Sequence, residues 1–188
     1  MIDFVNSPYR GAEMLPLERC KLYNWVLEST PAMVLEVGTG SGGGTSYIAE
    51  AIKDIGTGYI LTRDPLRKPN DDFFKTYPFV DYRKCRSDVI IEEVIERGLC
   101  IDFIFFDGPE DPDVALRDIK RLEQWIITGT LFAMHDWETT KRKYDGAIST
   151  KAEKIRPYME ESEHWKEVEV LSGQTIQSVG LCLYKYIK

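Results

Sequence analysis

Val34-Leu35-Glu36-Val37-Gly38-Thr39-Gly40-Ser41-Gly42-Gly43-Gly44-Thr45 is the stretch that decides the fold of this chain. It begins inside a short apolar run, Met33 to Val37, of the kind a buried parallel strand shows. It ends where helical spacing resumes, over Thr45 to Ile55, before Gly56-Thr57-Gly58 stops the helix. Glycines between a strand and a helix let the backbone turn tightly and let a ligand approach without Cβ interference. The helix start then offers free N–H groups to polar ligand atoms. Gly38, Gly40 and Gly43 have the GxGxxG spacing, which on its own fits a nicotinamide dinucleotide site equally well.

Two acids separate the alternatives. Glu36 lies two residues before the first glycine, at the strand end. There a carboxylate would face the pyrophosphate of a dinucleotide, a like-charge contact, but would suit a cationic sulfonium compound with a free amino group. Asp64 ends the next apolar run, Tyr59 to Thr62, where a carboxylate can accept both hydroxyls of a ribose. Asp64-Pro65 is equally a turn-forming pair.

Outward from this centre, strands and helices alternate. Leu17 to Ser29 reads as an amphipathic helix stopped by Pro31, and Phe79 to Cys85 as a third strand followed by a helix over Val89 to Arg97. Ile101 to Phe106 is almost wholly apolar and ends at Asp107-Gly108-Pro109, the pattern of a central strand. Asp113 to Trp125 reads as a helix with Asp113 capping or in its first turn, and Thr130 to Met134 as a strand ending at His135-Asp136. A helix over Lys151 to Glu160 precedes two strands, Trp165–Leu171 and Gly180–Ile187, joined by turn-type residues Gly173 to Ser178. This order predicts one α/β domain over residues 1–188, with a lead-in and helix over 1–30 and the core over 31–188. The core is a three-layer, Rossmann-like arrangement, its mostly parallel sheet closed by an antiparallel C-terminal strand pair. Ligands of such sheets bind beyond the carboxyl ends of the strands, at the switch point of strand order.

Composition narrows the function classes. Hydrophobic residues at 43% and charged residues at 29% match a globular domain rather than a disordered one. A net charge of -7 repels polyphosphate, so no nucleic-acid partner is expected, and Lys141–Lys143 is the one basic patch against that. No apolar run reaches the ~20 residues of a membrane span, and the N-terminus lacks a secretory pattern. Cys20, Cys85, Cys100 and Cys182 form no CxxC pair, which predicts reduced, mostly buried thiols in a cytoplasmic protein.

With these motifs assembled, the sequence resembles the class I S-adenosylmethionine-dependent methyltransferases, and more narrowly the small O-methyltransferase-like group called methyltransferase family 24. The resemblance rests on residues 34–42, on Ile101-Asp102-Phe103-Ile104-Phe105-Phe106-Asp107-Gly108, and on Gly129-Thr130-Leu131-Phe132-Ala133-Met134-His135-Asp136. It implies S-adenosyl-L-methionine as cofactor, held by Glu36, Gly38, Thr39, Gly40, Ser41, Gly42, Thr45, Asp64 and Asp107, with Ser87-Asp88 where such enzymes contact adenine. It also implies O-methylation of a small-molecule acceptor or glycan precursor, and a homodimer.

Asp107 and Asp136 end neighbouring strands in the expected sheet, so both carboxylates should reach one crevice, and such a pair can hold Mg2+ or another divalent cation. By resemblance they sit where metal-dependent O-methyltransferases keep two ligands. The match departs there, because Trp137 follows Asp136 and no lysine follows Asp107 within three residues as the base of catechol-type enzymes does. His135 then becomes the candidate general base, with a backbone-bonded strand-end histidine as the alternative. Trp137, Tyr144, Tyr9 and Phe4 read either as core or as lining of an acceptor pocket. A non-catalytic S-adenosylmethionine-binding module and an NAD(P)-dependent oxidoreductase remain the alternative functions.

Overall fold

The computed structural model describes residues 14–138, 151–172 and 180–188. Phe4, Tyr9, Tyr144, the Lys141–Lys143 patch and the Gly173–Ser178 connection lie outside them. Seven strands form one sheet: β1 (Met33–Val37), β2 (Tyr59–Arg63), β3 (Val80–Arg83), β4 (Phe103–Phe106), β5 (Leu131–His135), β6 (Trp165–Leu171) and β7 (Leu181–Tyr186). Their spatial order is β3-β2-β1-β4-β5-β7-β6. The first five pair parallel with one another, and β7 pairs antiparallel with both β5 and β6. The order therefore reverses between β1 and β4, and the glycine turn after β1 faces Asp107 after β4 across that switch point.

The central strands are apolar on both faces because helices cover both. Leu35, Val37, Leu61, Ile104, Phe106, Phe132 and Met134 point to one side. There they pack under α4 (Ser87–Glu96), α5 (Pro112–Glu123) and α6 (Ala152–Glu161). The alternate residues Val34, Ile60, Phe103, Phe105 and Ala133 pack under α1 (Pro16–Ser29), α2 (Gly43–Ile55) and α3 (Asp71–Thr76). This strict period of two decides the fate of Glu36, which shares its face with Val34 and so points under α2.

Several boundaries differ from the sequence reading. Helix α2 starts at Gly43 rather than Thr45, and β3 is shorter than Phe79 to Cys85. Helix α5 starts at Pro112 and is capped by Asp111, whose side chain accepts from the N–H groups of Asp113 and Val114, so of the two roles read for Asp113 it has that of first-turn acid. The six-residue α3 was not foreseen, being too short to display a periodicity. Its cap is Asn70, which accepts from Phe73 N–H at 2.9 Å. All four cysteines are free, but only Cys182 is buried and Cys100 is exposed, which corrects the expectation of mostly buried thiols. Among the described residues no helix is long and apolar enough to cross a membrane.

Candidate active site at the carboxyl rim of the sheet

The turn after β1 is built around Gly38, whose φ of 108° lies in the left-handed region. A Cβ there would stand 2.1 Å from the carbonyl oxygen of Asp107, so the close approach of the β1 and β4 ends requires glycine. Gly38 and Thr39 N–H groups both donate to the carbonyl of Arg63, tying the turn to the end of β2. Thr39 is buried and its hydroxyl shares a 2.6 Å hydrogen bond with that of Thr62, while Ser41 is exposed at the tip.

Glu36 does not face the open crevice, as the sequence reading had it, because strand alternation turns it inward. It is fully buried, and its Oε2 accepts from the hydroxyls of Thr45, at 2.7 Å, and Thr62. Its Oε1 has no hydrogen-bond partner among the described residues. Burial pushes the carboxyl up from 4.5 to about 8, against the two threonine hydroxyls, with the charges of Asp107 and Asp64 adding to the rise.

Asp64 serves first as an organiser of loops. One oxygen accepts from Leu66 and Arg67 N–H groups at 2.8 Å each, and the other from Gly40 N–H at 3.0 Å. The turn-forming role weighed from Asp64-Pro65 is therefore present, and the same carboxylate joins the β2 turn to the glycine turn. Ser87 is buried at the start of α4, and Asp88 pairs with the exposed Arg86. Arg63 was not singled out from sequence. It is buried, reaches the Cys85 carbonyl at 3.4 Å, lies against Gly108, and burial lowers its pKa.

At the ends of β4 and β5 a cluster of charges converges. Phe106 and Met134 are register partners, so the next residues, Asp107 and His135, stand side by side. His135 Nδ1 is 3.5 Å from Asp107 and 3.4 Å from Asp136, and its Nε2 is 3.5 Å from Glu18 of α1. Lys151, just before α6, places Nζ 2.9 Å from Asp107 and 2.8 Å from Asp136. Asp107 alone of the five is appreciably open, its side chain 29% exposed. Asp136 takes a φ of 64°, a conformation that Asp tolerates better than most residues but that still costs energy.

Burial alone would lower the pKa of His135, yet the charges of Asp136 and Asp107 outweigh it and push the imidazole up to about 10. The carboxylates so placed favour the protonated ring, which speaks against the general base read from sequence and for a charge held between Asp107, Asp136 and Glu18. Burial opposes the charge on Lys151 too, but Asp136 and Asp107 raise its pKa; partial desolvation works against the charge on Asp107, and the lysine and histidine in turn hold it below the usual carboxylate range.

The ligand atoms of Asp107, His135 and Asp136 lie within 4.8 Å of one another, near enough in principle for a metal. The set does not fit one. An ammonium already lies in contact with both carboxylates, in the place a cation between them would take. Trp137 is wholly buried against Tyr184 at 5.3 Å, which makes it core rather than pocket lining.

Glu18 and Lys151 were missed in the sequence. The available signal was register: Glu18 precedes the buried Leu22, Trp25 and Val26 by 4, 7 and 8 residues, and Lys151 precedes the buried Ile155 by 4. Each charge thus sits on the apolar stripe of its helix. A separate hollow of about 370 Å³, lined by residues 29–32, Asp102 and residues 127–131, lies at the opposite end of the strands. Its carboxylate, Asp102, is engaged by the Ala32 and Met33 N–H groups at 2.9 Å each.

Residues 35–137, more than half of the chain, match a family model described as a methyltransferase domain. Solved structures share the architecture at low sequence identity. An O-methyltransferase from Bacillus cereus in complex with SAH is 14% identical with a TM-score of 0.68, the match covering 95% of this chain and 84% of that one. The SAH-bound methyltransferase PaMTH1 from Podospora anserina is 14% identical with a TM-score of 0.71, covering 94% and 81%. The O-methyltransferase TomG from Streptomyces achromogenes, in complex with SAM, is 14% identical with a TM-score of 0.68, covering 92% and 80%. No curated protein matches the chain.

Proposed function

The chain belongs to the family of methyltransferase domains, and from that premise we propose that it transfers the methyl group of S-adenosylmethionine to a hydroxyl oxygen of a small-molecule acceptor. The observation that carries this reading is the buried Glu36 carboxylate beside the glycine turn, one oxygen of which lacks a partner among the described residues. A ligand with a sulfonium and an ammonium brings the positive charge that such a carboxylate lacks, whereas a pyrophosphate would add a like charge.

In this reading Gly38, Thr39, Gly40, Ser41 and Gly42 hold the amino-acid end of the cofactor, and the buried carboxyl of Glu36, bonded to Thr45 beneath the turn, supplies the counter-charge. Asp64 takes the ribose hydroxyls, and Ser87 and Asp88 flank the adenine. S-Adenosylmethionine, when bound, supplies a methyl group on sulfur open to in-line displacement. Asp107, the most open member of the charge cluster, accepts the hydrogen bond of the acceptor hydroxyl and aims its oxygen at that methyl. It takes the hydroxyl proton as the O–C bond forms and the S–C bond breaks, leaving the thioether as product. His135, Asp136 and Glu18 stand behind Asp107 and fix its direction.

Thermal melts with ligands test the cofactor. S-Adenosylhomocysteine at a hundred times its Kd should stabilise the fold by about 2.7 kcal/mol, and NAD should not. Stabilisation by NAD alone would refute the reading. Transfer of labelled methyl groups to a panel of hydroxylated acceptors then tests catalysis, and binding without turnover on every acceptor would favour a non-catalytic module.

A further inference from the structure

We propose that Lys151 is a tethered cation that does, for Asp107 and Asp136, the work of a divalent metal, so that the crevice binds no metal ion of its own. The proposal rests on the reading of this rim as the site of methyl transfer. Nζ of Lys151 stands 2.9 Å from Asp107 and 2.8 Å from Asp136, and the lysine is fully buried. That is the position from which a metal would have to bridge the same two carboxylates. A divalent cation needs their oxygens at about 2.0–2.6 Å and cannot share them with an ammonium in contact.

The lysine is also held in place. It immediately precedes α6, whose Ala152, Ile155 and Met159 are buried in the core beside Trp137 and Phe132. One turn on, Lys154 pairs with Asp113 of α5. The start of a packed helix fixes the backbone from which the ammonium reaches both carboxylates. The carboxylates thus have a permanent counter-charge delivered by the fold. Lys151 acts as a positioning residue, fixing the two aspartates so that Asp107 presents its open edge to the acceptor.

Manganese titration, followed by calorimetry and by the paramagnetic resonance of free Mn2+, tests this with no methyl donor or acceptor present. Wild type should show no site and no change in melting temperature with Mn2+, Mg2+ or EDTA. Lys151→Ala leaves Asp107, Asp136 and His135 within reach of one ion and should gain a manganese site. Removing a like charge at contact distance should tighten binding by more than about tenfold over wild type. Adding Asp136→Asn to Lys151→Ala should abolish that site. A folded Lys151→Ala that takes up no manganese would overturn the proposal, as would a wild-type site lost in Asp136→Asn. If Lys151→Ala does not fold, the wild-type titration decides alone, a silent titration supporting the proposal and an Asp136-dependent site refuting it. Failure of the methyltransferase reading would show separately, as absence of S-adenosylhomocysteine binding.

Discussion

Replacing Glu36 with glutamine removes the proton-binding group at the glycine turn and leaves its shape. In the ligand-free protein the carboxyl titrates at about 8 instead of 4.5. Below pH 4.5 folded and unfolded chains both hold the proton. Between 4.5 and about 8 the folded chain keeps it and the unfolded chain has lost it, so the folded state binds more protons and stability falls as pH rises. Above about 8 the loss is complete. The span corresponds to at most about 5 kcal/mol across the window. Urea unfolding of wild type and Glu36→Gln at intervals from pH 5 to 9 isolates this component, because His135, Asp107 and the other titrating groups are common to both proteins. The difference curve should descend for wild type by about 2–5 kcal/mol and flatten above pH 8. Ligand binding should reverse the sign, since the ammonium of the ligand favours the ionised carboxylate. At pH 7 S-adenosylhomocysteine should therefore release a proton on binding wild type and none on binding the variant, read by calorimetry in two buffers of different protonation enthalpy. Parallel pH–stability curves for the two proteins would refute the reasoning.

Asp107→Asn should lower kcat by about 10²–10⁴-fold while S-adenosylhomocysteine still binds, measured by methyl-transfer kinetics beside calorimetry. Gly38→Ala should destabilise the fold by about 3 kcal/mol or more, or prevent folding, because its Cβ would meet the Asp107 carbonyl at 2.1 Å; a stable variant would show that the β1 and β4 ends can separate. Asp111→Ala should cost about 1 kcal/mol in urea unfolding and Asp113→Ala distinctly less, since Asp111 is the residue that caps α5.

The sheet was legible because its strands are short apolar runs bounded by glycine or acid-proline turns; β1 and the span of β6 were read to the residue. The meeting of Asp107 with His135 and Asp136 followed from β4 and β5 being neighbours. What could not be read from local pattern was everything brought from a distance. Lys151 is 44 residues from Asp107, and a lysine at a helix start reads as solvated surface until tertiary packing buries it. Glu18 reads as an ordinary first-turn acid favoured by the helix dipole. Glu36 shows the opposite kind of error. Its place at the strand end was correct, but the alternation that turns it under α2 was in the sequence and went unused. The proton affinity of His135 was not legible because two of the carboxylates that set it, Asp107 and Glu18, come from other segments.

Helix α1 carries a consequence of its own. One turn beyond Glu18, Lys21 pairs with Glu169 of β6, and one turn further Trp25 donates its ring N–H to the same carboxylate at 3.0 Å. Strand β6 is one of the two edge strands of the sheet, reached only through β7. The helix is thus buckled to the periphery by the same stretch that delivers Glu18 to the histidine. Fraying at that outer edge would slacken the buckle first, and the imidazole at the heart of the rim would be among the earliest groups to register it.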